Sequence, residues 1–270
     1  MTPVVIVPAH DEADGIARLL HALQPLDGSV QVVVVCNGCS DDTASIARAV
    51  APLAVVVEIE QGSKPLALNV GDQLAHGFPR AYVDADCIVT ATDLLKLFEA
   101  VETYLAAAPE PMIGVSGSSR MVKAYYLVRS RLGVEATIAG TGVIVLSEQG
   151  RARFGVWPPI LADDYFVDGC FSVDEKSRIS GARSIVEAPT NARQLVSRLA
   201  RVHEGMGQAV AAGLRPRHPR TRLADVLRLP FEARASVSEV MAYLAVTLGS
   251  RVVRLWRRRR GTSDVFVRGR

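Results

Sequence analysis

Continuous apolar runs and amphipathic stretches alternate along the first third of the chain. Val4–Val7 is an unbroken apolar run, which predicts a strand buried on both faces. From Glu12 to Leu23 the apolar positions are Ile16, Leu19, Leu20 and Leu23, the spacing of one helical face. Val30–Val35 predicts a second strand that ends at Asn37-Gly38. Asp41–Val50 predicts a helix with Ser40 or Asp41 as its cap. Ala54–Ile59 predicts a third strand, and Ser63-Lys64-Pro65 opens a helix to Leu74 with proline in its first turn. Ala81–Val83 predicts a fourth strand. Strands and helices alternating at this spacing mean βαβ units, hence a Rossmann-type, mostly parallel sheet flanked by helices.

The remainder is less regular. Thr92–Ala107 predicts a helix, and Ile113–Ser116 and Gly142–Leu146 predict strands. Phe154–Pro159 reads as a loop leading to Leu161-Ala162-Asp163-Asp164-Tyr165. Arg193–Ala212 is a long helical stretch, broken by Arg215-Pro216-Arg217-His218-Pro219. There is no internal repeat, and Arg257–Arg260 is the one low-complexity tract.

Open α/β sheets bind ligands beyond the carboxyl ends of their strands. The polar clusters His10–Glu12, Asn37–Asp42 and Asp84–Asp86 all fall at such ends, so the acids gather on one edge of the sheet. Asp84 and Asp86 are the most informative pair. Two carboxylates one residue apart, where a strand runs out into a loop, can share a hard divalent cation. Mg²⁺ or Mn²⁺ takes one or two carboxylates together with substrate phosphates. Lys64, in Gly62-Ser63-Lys64-Pro65, stands at a helix N-terminus, where a cation suits a phosphate; taken alone it reads equally as an exposed surface lysine. A nicotinamide-type dinucleotide fold is excluded, because Pro-Ala-His-Asp-Glu follows the first strand in place of G-x-G-x-x-G, and there is no P-loop.

The chain of 270 residues is 49 % apolar and 22 % charged, the balance of a globular protein with a sizeable core. Its net charge of +3 conceals an asymmetry. Residues 201–270 carry 15 arginines against 5 acids, while residues 1–200 are net acidic. An acidic body with a basic tail points to a separate partner for the tail, an anionic lipid surface or nucleic acid. Cys36 and Cys39 form a C-x-x-C with no second closely spaced pair, which favours reduced thiols over a zinc or redox site. Met1-Thr2-Pro3 leads directly into the first strand without a basic segment or a long apolar run, so the expected location is cytoplasmic.

In order along the chain, these segments resemble the family 2 glycosyltransferases. Val5-Ile6-Val7-Pro8-Ala9-His10-Asp11-Glu12 resembles the family's opening strand and Pro-x-x-Asn-Glu, with Asp11 for Asn. VVVVCNGCSDDT (32–43) resembles its second strand and acidic loop, with Cys36 and Asn37 for both leading acids. GSKPLALNVG (62–71) resembles Gly-Lys-x-x-Ala-x-Asn-x-Gly, Asp84-Ala85-Asp86 the Asp-x-Asp strand end, and Asp163-Asp164 the Glu-Asp pair. Arg198-Leu199-Ala200-Arg201-Val202 is similar to the Arg-x-x-Arg-Trp helix, with Val for Trp.

The resemblance covers roughly residues 3–205 and implies a GT-A fold and a metal-assisted, inverting transfer of a sugar from a nucleotide-diphosphate donor to a hydroxyl acceptor. It implies donor contacts from Pro8, Ala9, Asp11, Glu12, Asn37, Lys64, Asp84, Ala85, Arg198 and Arg201. It implies Mn²⁺ or Mg²⁺ on Asp86 and Asp84, with His203 a further diphosphate or metal contact; by residue type alone His203 reads as a surface or core histidine. Asp164 becomes the general base, oriented by Asp163, and Gly140-Thr141-Gly142 resembles the acceptor floor. Asn37, able to donate and accept, opens the choice of donor base. The implied layout is a glycosyltransferase domain over 1–230, its nucleotide-sugar part about 1–110 and acceptor part about 111–230, and a basic amphipathic helix over 231–270.

Within that last segment, the uncharged run 240–250 is too short to span a bilayer. Residues 237–260 suit a helix lying on an anionic membrane, at the inner face of the cell membrane, or one folded back on the domain. Nucleic acid is disfavoured, since stacking aromatics are sparse there. Two rival functions stay open. A nucleotidyltransferase would bring a Gly-rich basic loop after the first strand, where this chain has Pro8–Glu12. A non-catalytic nucleotide-sugar-binding module would explain the departures at Asp11, Cys36, Asn37 and Val202.

Overall fold

Four consecutive apolar residues, as in Val4–Val7 and Val32–Val35, are best buried on both faces inside a sheet, and β1 and β2 lie there, with β3 at the sheet edge. A computed structural model describes residues 1–26, 28–132, 137–211, 213 and 221–260. Strand β1 (Val4–Ala9) is buried along its whole length. It pairs in parallel with β2 (Gln31–Asn37) on one side and β4 (Arg80–Val83) on the other, and β2 pairs in parallel with β3 (Val55–Ile59). The crossovers are α1 (Ala13–Leu23), α2 (Thr43–Val50) and α3 (Lys64–Leu74). Ile16, Leu19, Leu20 and Leu23 are the buried face of α1, as their spacing predicts. Ser63 caps α3, its Oγ accepting from the Leu66 N–H, and Pro65 sits in the first turn.

Beyond β4 the parallel pattern ends. The strand order is β3-β2-β1-β4-β7-β6-β8-β5, where β5 is Cys87–Val89, β6 Ala106–Gly114, β7 Val143–Leu146 and β8 Lys176–Glu187. β7 runs antiparallel to β4 and to β6, and β5 antiparallel to β8. The helix expected over Thr92–Ala107 is shorter: α4 spans Ala91–Ala100, and Ala106, Ala107 and Ala108 are a fully buried part of β6. Alanine is a good helix former, but at a sheet centre its small side chain lets layers approach, and packing overrides propensity. The Arg215–Pro219 break lies outside the described residues.

The chain forms two units built from interleaved segments. The first is Met1–Met112 with Ile138–Val186, and adds α6 (Glu148–Arg151) and α7 (Asp163–Gly169). Its core is centred on Ile6, Val33, Val35, Leu68, Tyr82, Leu146 and Trp157. The second is Ile113–Thr137 with Glu187–Arg270, and holds α5 (Arg120–Arg131), α8 (Ala192–Ala211), α9 (Leu223–Arg228) and α10 (Val237–Arg260). Here α10 packs on α5 and α8 through Val122, Tyr125, Leu195 and Val246, with Tyr125 and Tyr243 stacked at 5.1 Å. Among the described residues, no helix is long and apolar enough to cross a membrane.

Candidate active site

The first unit's cleft lies where β1 and β4 end and is lined by Pro8, Leu68, Tyr82, Ile144 and Trp157 below and by four charged side chains above. Including its open mouth, it measures about 360 Å³. The charged group is Lys64, Asp84, Asp163 and Asp164. Lys64 Nζ lies 2.7 Å from Asp84 Oδ1 and 2.9 Å from Asp163 Oδ2. Three segments about 20 and 80 residues apart thus meet at one ammonium, two of them at carboxyl ends of the parallel strands and the third in the first turn of α7.

Burial opposes the charge on Lys64, but Asp163 and Asp84 outweigh it and raise its pKa well above the ordinary lysine value. Asp163 and Asp164 occupy the first turn of α7, with Ala162 at the cap position, so they are dipole-stabilised acids and not the cap itself. Asp164 Oδ2 accepts from the Gly140 N–H at 2.8 Å, and Oδ1 from the Tyr165 N–H at 2.8 Å. One helical turn on, Asp168 accepts from the Ile138 N–H at 3.0 Å and pairs with Lys176 at 2.8 Å. Residues four apart share a helix face, so one face of α7 holds the 138–142 segment at two points. Burial, then the charge of Asp163, push Asp164 up to about 6. Asp163 is also raised by burial, with Lys64 pulling the other way.

Asp84, Ala85 and Asp86 form the turn between β4 and β5. The Asp84 N–H donates to the Gly142 carbonyl and the Asp84 carbonyl accepts from the Cys87 N–H. Gly142 holds φ +72°, and a Cβ there would stand 2.9 Å from the Cys87 Cβ, so the turn closes only over glycine. Helix α1 packs against it through Gly15, whose missing Cβ would lie 3.2 Å from the Ala85 carbonyl oxygen. Lys64 meets Oδ1 of Asp84, and Asp84 and Asp86, one residue apart on this partly exposed turn, are hard oxygen donors of the kind that Mg²⁺ or Mn²⁺ takes.

The loops after β1 and β2 are sewn together. The Asn37 Nδ2 donates to the Ala9 carbonyl at 2.7 Å, while its Oδ1 is buried without a partner. Asp11, at φ +50°, accepts from the Ser40 N–H. Buried Glu12 donates its N–H to Thr43 Oγ1. Asp41 accepts from the Ala13 and Thr43 N–H groups, so it serves the first turns of α1 and α2 together, and the cap position of α2 falls to Asp42. The C-x-x-C thiols are unbridged; burial, then Cys39, push Cys36 up to about 12, which keeps it a thiol.

Arg198, Arg201 and His203 lie on α8, in the second unit. Arg198 donates to the Glu187 carbonyl at 3.2 Å. Burial and then Arg254, Arg251 and Arg129 lower the pKa of His203, a positive field that weighs against a cation ligand. Two contributors escape the motif reading. Trp157 walls the cleft, its backbone exchanging two hydrogen bonds with the Asn69 amide (2.8 and 3.1 Å). Its indole donates to Asp72 Oδ2 at 2.8 Å, and Asp72 also takes Arg80, Arg151 and the Tyr82 hydroxyl. The one sequence signal was a tryptophan inside a loop otherwise lacking apolar periodicity.

The family description "Glycosyl transferase family 2" matches residues 4–133, the stretch that carries β1 to β6, Lys64 and the Asp84–Asp86 turn. That segment belongs to glycosyl transferase family 2. The chain is similar in sequence to a 4,4'-diaponeurosporenoate glycosyltransferase of Staphylococcus aureus, 26 % identical over 172 residues, which are 61 % of this chain and 45 % of the relative. The chain therefore spans about half the length of that curated relative. In structure the chain resembles a Pyrobaculum calidifontis mannosyltransferase solved with GDP-Man and Mn²⁺ (TM-score 0.68, 19 % identity, 94 % of this chain and 87 % of that one). It also resembles the Mycobacterium tuberculosis glucosyl-3-phosphoglycerate synthase solved with UDP (TM-score 0.58, 20 % identity, 79 % and 81 %). These likenesses establish the GT-A fold: a parallel half, β3-β2-β1-β4, continued by antiparallel strands.

Proposed function

We propose that the protein is an inverting glycosyltransferase that moves a sugar from a nucleotide-diphosphate donor to a hydroxyl acceptor. The observation that carries this reading is the convergence of Lys64, Asp84, Asp163 and Asp164 on one cleft, with Asp164 raised to about 6. A base with that pKa is ionised at neutral pH yet basic enough to take a proton. In the reaction, Asp164 accepts the proton of the acceptor hydroxyl as that oxygen attacks the anomeric carbon. The bond from that carbon to the diphosphate oxygen breaks, and the nucleoside diphosphate leaves. Lys64 and the first turn of α3 offset the negative charge that develops. A Mn²⁺ or Mg²⁺ held by Asp84 and Asp86, when bound, supplies Lewis-acid stabilisation of the same oxygen.

Asp163 orients Lys64 and, by its own charge, keeps Asp164 basic. Pro8, Ala9, Asp11, Glu12, Ala85 and Asn37 form the nucleoside side, and Arg198 and Arg201 are proposed diphosphate contacts. The unpartnered Oδ1 of Asn37 supports a base that presents an N–H to it, whether the ring N–H of uracil, thymine or guanine or the exocyclic amine of cytosine. We extend the reading to place: a protein of the cytoplasmic side that meets an anionic membrane through residues 237–260.

Calorimetric titration with UDP, GDP, dTDP and CDP, with and without Mn²⁺, tests the donor assignment; metal-dependent binding of one of the four is expected. Asp164→Asn should lower turnover more than about 100-fold while nucleotide binding survives. Unchanged transfer by that variant removes Asp164 as base, and an absence of binding to all four nucleotides favours a non-catalytic module.

A further inference from the structure

Helix α10 has two apolar faces, and only one of them is used by the fold. Val240, Val246 and Ser250 are buried against the second unit. On the opposite side, Val237, Met241, Leu248, Val252, Leu255 and Trp256 are each half or more exposed, and Ala245 completes the row. The steps from 237 to 255 are four, four, three, four and three residues. At the helical period these side chains fall within an arc of roughly 100°, the width of a contact stripe, over about 29 Å of axis. A solvent-facing helix side is normally polar. A contiguous apolar row of this length marks a binding surface.

Charge selects the occupant. After Glu239 the helix has no acid, and residues 251–260 contain six arginines. Glu239 is itself engaged, accepting from the Ser236 N–H. Arg251 is exposed and borders the stripe, whereas Arg254 and Arg257 turn inward to the His203 carbonyl and Ser197 Oγ. A second copy laid parallel would set arginine against arginine. Laid antiparallel, it would set them against the uncharged 240–250 stretch. Neither offers a counter-charge, and an anionic bilayer does. Trp256, half exposed where the stripe meets the arginines, suits the boundary between headgroups and acyl chains.

We infer that α10 lies in the plane of an anionic bilayer with the 237–255 stripe sunk into the acyl boundary, Trp256 and Arg251 at the headgroups, and its Val240–Ser250 face holding the second unit. This rests on the membrane partner proposed above and gives that partner a surface. It differs from a spanning anchor, because the helix uses its other face for folding.

The test is co-sedimentation of the full chain with vesicles of phosphatidylcholine alone and of an equimolar phosphatidylcholine–phosphatidylglycerol mixture. The double variant Leu248→Asp/Leu255→Asp is compared with Leu248→Ser/Leu255→Ser and with Met112→Asp, a control on an exposed apolar residue of the first unit. Nucleotide binding and circular dichroism on the same samples report folding. The expected result is binding to the anionic vesicles, weakened by salt, lost by more than tenfold in both stripe variants and unchanged in the control. Arg251→Glu should reduce binding to anionic vesicles only. Binding that survives both stripe variants overturns the stripe assignment and leaves the membrane partner standing. An absence of binding by the natural sequence removes both, while nucleotide titration still reports on glycosyl transfer. Dimers that dissociate in the stripe variants, without vesicle binding, assign the stripe to a second copy and overturn the inference.

Discussion

Lys64 is the residue on which the charges of the cleft balance. It lowers the pKa of both Asp163 and Asp164, against burial that raises them. Replacing it by methionine removes that pull, so both carboxyls should titrate higher. Asp164 acts as a base only when ionised, and the acid limb of kcat/KM against pH should follow its pKa. The limb is expected near pH 6 in the natural sequence and above it in Lys64→Met, whatever the loss of amplitude from weaker donor binding. A limb that stays in place would separate Asp164 from the proton transfer. That Lys64 and Asp84 lie on one edge was legible in sequence, because each follows a predictable element boundary and a parallel sheet sends such boundaries to one edge; the Asp163–Asp164 pair, in the first turn of α7, was indicated only by the resemblance to the Glu-Asp pair. The grouping of His203 with Arg254, Arg251 and Arg129 was not legible. It depends on which face of α8 packs on α10, and the apolar spacing of a helix rich in arginine does not decide that.

At the scale of elements, the wall of the cleft depends on one carboxylate. Asp72, near the end of α3, accepts from Arg80 on β4, Arg151 on α6, the Tyr82 hydroxyl and the Trp157 indole. Four elements are tied at a group that is almost wholly buried. Asp72→Ala would leave two arginines without their counter-charge, at a cost of about 3–5 kcal/mol. Denaturant unfolding should show that loss, with a smaller one for Asp72→Asn, which keeps one acceptor oxygen. In whatever Asp72→Asn protein remains folded, KM should rise more than kcat falls, since Trp157 positions and does not react. Equal stability of the alanine variant and the natural sequence would contradict the network. No sequence pattern announces this tie, because Asp72 and Trp157 are 85 residues apart and lie on elements of different type. The early strands were legible from continuous apolar runs. The short β5 and the polar-flanked β8 were not, since three residues carry no period and β8 alternates only in its second half.

Across the whole molecule, the cleft belongs to the first unit and the arginine-bearing α8 to the second. The GT-A fold was legible from the order of motifs. The interleaving of units was not, because it comes from β6 and β8 carrying the chain across the division twice. Hydrogen exchange with and without a nucleotide diphosphate and Mn²⁺ can read both units at once. A bound ligand stabilises every opening that breaks its site, by about 2.7 kcal/mol at a hundredfold excess over Kd. Protection is therefore expected in the strand-end segments 8–12, 37–43, 62–66, 84–87 and 162–165, at roughly a hundredfold slowing where exchange needs the site to open. The diphosphate contacts proposed for Arg198 and Arg201 require added protection in α8 as well. If the first unit gains protection and α8 does not, Arg198 and Arg201 leave the donor site, and the chemistry rests on Lys64 and the carboxylates of a single unit. If the strand ends gain none, the nucleotide binds elsewhere and the cleft assignment falls with it.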